Sequence, residues 1–283
     1  MKIVVTGGSG KLGGYVVPEL QNAGHEVIIF DRNPPAVPSS ARFTGGTIES
    51  LPDLTAALAE AEAVLHLAGI PTFGIEPDDV TFRINVMGAF NVHEAARVNA
   101  VPLVVSLSSE AVLGWSPGSW QTEHLPDYLP IDEQHACAPQ DCYGLSKQVL
   151  EDVGRSFSAR CGLTTVFLRA TWIASPEELE ELAKVGGRRP KEFTLCHYVD
   201  ARDLAVACRK ALESRLAGSH AIYIGSGQTC VAEPLSTLFP RLAPGIGAMA
   251  SSLEGQKGAV SVDLAYRLLG WKPEHLWKPH TSN

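Results

Sequence analysis

No window of this 283-residue sequence reaches the roughly 18 consecutive apolar residues of a membrane-spanning helix. The N-terminus enters Lys2-Ile3-Val4-Val5-Thr6 directly, without the charged stretch and longer apolar stretch of a leader. Positive charge is scarce too: 23 Lys and Arg face 31 Asp and Glu, the formal charge is −8, and no Lys/Arg run is longer than Arg188–Arg189. A surface that neutralises polyanions needs the opposite balance, so no nucleic-acid partner is expected. The six cysteines, Cys137, Cys142, Cys161, Cys196, Cys208 and Cys230, lack C-x-x-C spacing. Neither a metal site nor a disulfide framework is expected from them, and they read as small apolar residues. What is present is ordinary globular usage, 45% hydrophobic and 19% charged. The expectation is a cytoplasmic protein without membrane contact, folded as one domain or as a domain with a smaller lobe.

The most informative local pattern is at the start. Lys2–Val5 is a β-branched run, Thr6-Gly7-Gly8-Ser9-Gly10-Lys11-Leu12-Gly13 follows, and Leu12, Val16, Val17 and Leu20 then repeat at helical spacing up to Gly24. This reads as strand, glycine turn, helix. Gly7 permits a tight turn, Gly10 a close approach of pyrophosphate to backbone N–H groups, and Gly13 close packing of helix on strand. The spacing is G-x-x-G-x-x-G, and Lys11 and Leu12 lie where the helix opens. A second strand, His25–Phe30, ends in Asp31, where a carboxylate can accept from adenosine ribose hydroxyls and repel a 2′-phosphate. That favours NAD; the neighbouring Arg32 keeps NADP as the alternative.

Further on, Phe43–Ile48 is expected to hold a short third strand and Leu51–Ala61 a helix. Ala63–Ala68 is an apolar run ended by Gly69. Asp79–Ala100 has a long helical pattern, and Val101–Leu107 is a second buried run ending in Ser108-Ser109. Tyr143–Cys161 reads as a helix, Leu163–Arg169 as a sixth strand, Glu177–Lys184 and Asp200–Glu213 as helices, His220–Ile224 as a strand and Val262–Leu269 as a last helix. Ala232–Met249 has no clear period. Strands that alternate with helices imply right-handed crossovers and a parallel sheet covered on both faces, with ligands at the strand C-termini. The glycine turn, Asp31, Ala68–Gly69 and Ser108–Ser109 all fall at such ends.

In Asp141–Lys147, Tyr143 and Lys147 are four residues apart, so on a helix both side chains leave one face. An ammonium beside a phenol favours the phenolate and is expected to draw its pKa down toward working pH.

Together these pieces resemble the extended short-chain dehydrogenase/reductases, the NAD-dependent epimerase/dehydratase group, over residues 1 to 275. The matching segments are TGGSGKLG from Thr6, Asp31, HLAG from His66, INVMGAFNV from Ile84, SSEAVLG from Ser108, PIDEQHACAPQDCYGLSK from Pro130, HYVDARDLA from His197 and RLLGWKP from Arg267. The resemblance implies an α/β fold with a Rossmann-type doubly wound parallel sheet: residues 1–169 as the dinucleotide-binding core with the catalytic helix, residues 170–283 as a small substrate lobe interleaved with the last core elements. It implies that Tyr143 is the acid/base, that Lys147 lowers its pKa and holds the nicotinamide ribose, and that Ser109 hydrogen-bonds the reacting oxygen. Asn85 would maintain the site and its proton relay. The cofactor set is then Gly7, Gly10, Lys11, Leu12, Gly13, Asp31, Arg32, Ala68, Gly69, Ser108, Tyr143 and Lys147.

The chemistry implied begins with hydride transfer between a substrate C–H and nicotinamide. Dehydratases of this group carry an acid/base pair after the catalytic hydroxyl residue; here those positions read Glu110-Ala111, so the full pair is absent. Glu110 and Trp172 join Ser109 as expected substrate contacts, while Trp115 and Trp120 stack on a sugar or pack the loop Glu110–Cys142. Arg188, Arg189 and Lys191 serve a diphosphate or a carboxylate, or form a solvated turn. His66 reads as a hydrogen-bonded core histidine, and His197 as core packing or pocket lining. The first reading is an NAD(P)-dependent oxidoreductase acting on a sugar or sugar-like small molecule. The alternatives are a nucleotide-sugar epimerase that recycles bound NAD and a non-catalytic NAD sensor. By the same resemblance, two copies pair through the helices Asp79–Ala100 and Tyr143–Cys161 as a homodimer.

Overall fold

Strands form where the apolar runs lie, and helices where the apolar residues recur at three and four. The computed structural model describes residues 1–115, 125–189 and 194–278; Trp120 and Lys191 lie outside them. The strands are β1 (Lys2–Thr6), β2 (Glu26–Asp31), β3 (Arg42–Gly45), β4 (Ala63–His66), β5 (Leu103–Ser109), β6 (Thr164–Ala170), β7 (Trp172–Ala174), β8 (Tyr198–Asp200) and β9 (Ser219–Ile224). The helices are α1 (Gly13–Asn22), α2 (Leu51–Ala57), α3 (Asp78–Val98), α4 (Cys142–Cys161), α5 (Pro176–Lys184), α6 (Ala201–Glu213), α7 (Leu235–Leu242), α8 (Gly247–Ala250) and α9 (Asp263–Leu269).

The main sheet has seven strands in the order β3-β2-β1-β4-β5-β6-β9, all parallel. This is the Rossmann order with a strand added at one edge. Thr6 pairs with both Phe30 and His66, and His66 with Ser106, so the carboxyl ends of the central strands line up along one edge. The order reverses between β1 and β4, which opens the crevice there.

Alternation along each strand assigns side chains to opposite faces. Ile3 and Val5 pack with Val16, Val17 and Leu20 of α1 and Leu204 and Cys208 of α6. Val4 and Val64 pack instead with Leu54 of α2, Val92 and Ala96 of α3, and Phe157 of α4. Local chemistry sets the helix ends. Asp141 caps α4 by accepting from the Gly144 amide at 2.7 Å, and Gly162 ends it with φ +73°. Ser175 and Glu178 form a reciprocal capping box at α5, with Pro176 in the first turn.

Four expectations change. The third strand stops at Gly45; the next residue, Gly46, packs so closely on the Phe30 ring that a Cβ would lie 2.5 Å from it. The second helix ends at Ala57, and β4 at His66. β7 and β8, which pair with each other, were not expected: three residues each are too few to show a period of two.

After Ala170 the chain serves two cores. Leu204, Cys208, Ile222, Ile224 and Ala265 return to the main sheet. Tyr198, Leu179, Cys230, Leu235 and Phe239 form a second apolar cluster with Val112, Trp115 and Ile131, so the segment after β5 is packed into this lobe. None of the helices, among the described residues, is long and apolar enough to cross a membrane.

Candidate active site

One cavity of about 800 Å³ runs along the carboxyl edge of the sheet, from the glycine turn past the end of β5 to β7 and the segment before β8. At the glycine turn, Gly7 has φ +74°, and a Cβ there would sit 2.6 Å from the Ala68 amide nitrogen. Only glycine allows both the turn and that approach. A Cβ on Gly13 would meet the Gly8 carbonyl oxygen at 2.2 Å, so Gly13 packs the helix under the loop and does not line the cavity. Gly10, Lys11 and Leu12 do line it. Helix α1 opens at Leu12 with no side-chain cap; the Gly14 and Tyr15 amides bond to the Gly10 and Leu12 carbonyls, which leaves the Leu12 and Gly13 amides for an anion. Asp31 ends β2 on the same cavity, with Oδ2 accepting from the Ser9 amide at 3.1 Å and Oδ1 from the Arg32 amide at 2.7 Å. Arg32 also lines it, and Lys11 Nζ lies 2.7 Å from Glu178 Oε2 of α5.

Three of the four sequence-predicted catalytic residues, Ser109, Tyr143 and Lys147, meet in the cavity. Tyr143 and Lys147 project from the first turns of α4, with Lys147 Nζ 5.7 Å from the Tyr143 ring centre. Ser109, the last residue of β5, shares a hydrogen bond with the Tyr143 phenol, and its oxygen also accepts from the Ala111 amide at 3.1 Å. The Lys147 ammonium donates to the Leu107 carbonyl at 2.9 Å, and burial pushes its pKa down to about 8. The Tyr143 phenol is pushed up to about 12, chiefly by burial; the Ser109 bond opposes this, and the Glu110 and Asp141 carboxyl groups add to it. The expected draw of Lys147 on the phenol is absent from the causes of this shift: burial dominates, and the phenol keeps its proton at neutral pH.

Asn85 is buried and outside the cavity wall. Its Oδ1 accepts from the Ile70 amide at 2.7 Å, and its Nδ2 donates to the Ile70 carbonyl at 3.1 Å and to Ser146 Oγ at 3.0 Å. Ser146 in turn donates to the Tyr143 carbonyl at 2.7 Å. Asn85 thus ties the loop after β4 to the turn of α4 that carries Tyr143. Gly69, with φ +149°, makes room: a Cβ there would be 2.8 Å from Asn85 Oδ1. Ala68 and Gly69 line the cavity.

Ser108 lines the cavity, but its hydroxyl is committed to Glu151 Oε1 at 2.7 Å. That carboxylate is fully buried and also accepts from Arg169 Nε at 2.9 Å and Nη2 at 2.8 Å. His66 is the hydrogen-bonded core histidine expected: Thr6 Oγ1 lies 2.8 Å from its Nδ1, and burial lowers its pKa.

At the far end, Glu110 lies against His197, Oε2 on Nε2, and both line the cavity with Trp172, Arg188 and Cys196. The Arg188 guanidinium stacks 3.9 Å over the Trp172 ring. Burial pushes the Glu110 carboxyl up to about 8, against the pull of Arg188 and of the Trp172 amide that bonds to it. Although 26% of its side chain is accessible, that area lies in the cavity and not on an open surface. Burial, with Arg188 adding to it, pushes His197 down to about 3. Both shifts run toward the uncharged forms, and neither ring nitrogen of His197 has a hydrogen-bond partner among the described residues. Cys196 has a strained φ of +51°. Of the two expectations for His197, core packing and pocket lining, the cavity wall includes it; nothing in the local sequence pattern marks Cys196, which reaches the cavity beside the short pairing of β7 with β8.

Comparison with known proteins agrees with this architecture. The family model described as the NAD dependent epimerase/dehydratase family matches residues 3–225. A UDP-glucose 4-epimerase of Corynebacterium glutamicum is 28% identical over 311 aligned residues, covering 97% of this chain and 92% of that protein. Among solved structures, a short-chain dehydrogenase/reductase superfamily protein from Agrobacterium tumefaciens with bound NAD superposes with a TM-score of 0.74 at 24% identity, covering 98% of this chain and 94% of the other. MoeE5 in complex with UDP-glucuronic acid and NAD gives a TM-score of 0.72 at 23% identity, covering 97% and 94%. At these identities the structural likeness speaks to the fold alone.

Proposed function

The chain belongs to the NAD-dependent epimerase/dehydratase family, and we propose that it uses NAD to move a hydride to or from a hydroxyl- or carbonyl-bearing carbon of a sugar or sugar-like substrate. The observation that carries this reading is the placing of Ser109, Tyr143 and Lys147 in one cavity, between the Asp31 end and the Arg188 end. The site fits the cofactor: uncapped amides at the start of α1 and the glycine turn would hold its pyrophosphate, and Asp31 its adenosine ribose. Asp31 favours NAD, and Arg32 is the residue through which NADP would enter. Bound NAD supplies the hydride acceptor or donor. Tyr143 holds or takes the hydroxyl proton at its phenolic oxygen, Ser109 fixes the reacting oxygen beside it, and Lys147 holds the nicotinamide ribose and favours the phenolate. Asn85 acts through Ile70 and Ser146 to keep Tyr143 in place. Glu110 and Trp172 are proposed to meet the substrate. The lobe built from residues 170–283 together with the segment after β5 is proposed to close over it, and α3 and α4 to pair two copies of the chain.

A second reading, a nucleotide-sugar epimerase that returns the hydride to its own product, is supported by the near full-length match to the C. glutamicum relative. One experiment separates the two. The protein is incubated with NAD and, in turn, free aldoses, uronates and UDP-sugars, and both reduced nicotinamide and product isomers are measured. Stoichiometric NADH is expected for a dehydrogenase, and interconversion without net NADH for an epimerase; absence of both across the panel would overturn the hydride-transfer reading.

A further inference from the structure

The segment 271–278, which follows α9, lines no part of the cavity, and hydride transfer does not use it. It is nonetheless bonded into the fold along its length. Gly270, with φ +57°, ends α9 and turns the chain back. The buried Trp271 indole then donates to the Asp203 carbonyl of α6 at 2.9 Å. The Asp203 carboxyl group is buried as well: Oδ2 accepts from the Glu274 and His275 amides at 3.0 and 2.9 Å, and Oδ1 lies 2.6 Å from His275 Nδ1. Last, the Trp277 amide donates to the Tyr198 phenol oxygen of β8 at 2.6 Å. These bonds make the segment a strap across the second lobe.

What the strap supports is the back of the cavity wall. The Trp277 ring is 4% exposed, and a Cβ on Gly187 would lie 2.9 Å from its Cη2 and 3.0 Å from the Cys230 carbonyl oxygen. Gly187, at φ +92°, is thus packed against both. The next residue, Arg188, lines the cavity, and its amide donates to the Cys230 carbonyl at 2.9 Å. Tyr198 stands in the same relation to the wall, since it directly follows the cavity residue His197. Each contact of Trp277 therefore lies one residue behind a side chain that faces the cavity. The Trp277 N–H of the ring has no hydrogen-bond partner among the described residues. A buried unpaired donor costs stability, so the indole contributes shape and not a bond: its far edge is what reaches Gly187.

We propose that Trp277 is a positioning residue for the substrate: by filling the space behind Gly187 and anchoring Tyr198, it holds the cavity wall at the spacing the substrate needs, without touching substrate or cofactor. The inference rests on the reading of that wall as the substrate side of the cavity.

The test is steady-state kinetics of full-chain variants with NAD on the panel of free aldoses, uronates and UDP-sugars, with the NAD dissociation constant and the melting temperature measured alongside. W277A removes the support, W277F shortens the ring and removes the unpaired N–H, and Y198F removes only the oxygen that accepts from the Trp277 amide. KM for the sugar is expected to rise roughly tenfold in W277A, because a wall displaced by about 1 Å is enough for such a loss, and by a smaller factor in W277F and Y198F. The turnover number and the NAD dissociation constant should stay within about twofold of wild type, the pattern of lost substrate fit and not of a damaged fold. An unchanged KM in all three variants, or a loss of NAD affinity as large as the rise in KM, would overturn the inference. Y198F decides it if the tryptophan variants fold poorly. Failure of the wild type to turn over anything on the panel would instead count against the proposed function, and hydrogen exchange would still decide the positioning role. Faster exchange is then expected at the Gly187 and Arg188 amides of the variants with the turn Thr6–Gly13 unchanged; exchange that is unchanged, or faster throughout the chain, would overturn it.

Discussion

Tyr143 is the residue on which the chemistry turns, and its environment sets the direction of its proton. Burial holds the phenol at about 12, so it is an acid at neutral pH until positive charge beside it shifts the balance. Tyr143→Phe keeps the ring and removes the proton; the expected loss in kcat is about 10²- to 10⁴-fold with NAD binding retained, read from turnover and from NAD thermal shift.

At the scale of elements, the catalytic geometry depends on how α4 seats against β5 and β6. Glu151 on α4 joins the Ser108 hydroxyl of β5 to Arg169 of β6, and Arg169 also reaches Tyr223 of β9 at 3.3 Å. Removing one partner leaves a buried charge alone. Arg169→Met is expected to cost roughly 3–5 kcal/mol in denaturant unfolding. A cost near zero would mean that Glu151 finds another partner, such as Arg155, already 3.3 Å away on the same helix. The glycine turn, α1 and Asp31 could be read from the sequence because each depends on a few neighbouring residues. So could α4, through its Tyr143–Lys147 spacing and its apolar stripe. The β7–β8 pair and helices α7 and α8 could not, since each is too short or too interrupted by glycine and proline for a period to emerge.

For the whole molecule, the proposed pairing of two chains has a specific surface. Met87 and Phe90 of α3 and Leu145 of α4 are large apolar side chains left 47%, 39% and 44% exposed. If these helices form the interface, replacing Met87 and Leu145 with Glu, and leaving Phe90 on the Phe157 ring, should convert a sedimenting dimer to a monomer. A wild-type protein that sediments as a monomer would remove the proposal.

The sequence by itself determined the order of the main-sheet strands and of the helices between them, the glycine turn with its acidic residue at the end of the next strand, and the helical spacing of Tyr143 and Lys147. These follow from periodicity and turn chemistry, which act over a few residues. The resemblance already points to Ser109, and the tertiary structure supplies the reason: successive strand side chains point to opposite faces, so Ser109 joins the phenol while Ser108 turns to Glu151. The tertiary structure alone set the burial that holds the phenol's proton on. It alone brought Glu110 to His197 and laid Arg188 on Trp172, because contacts between residues so far apart in the chain exist only once the sheet and its second lobe have closed around one cavity.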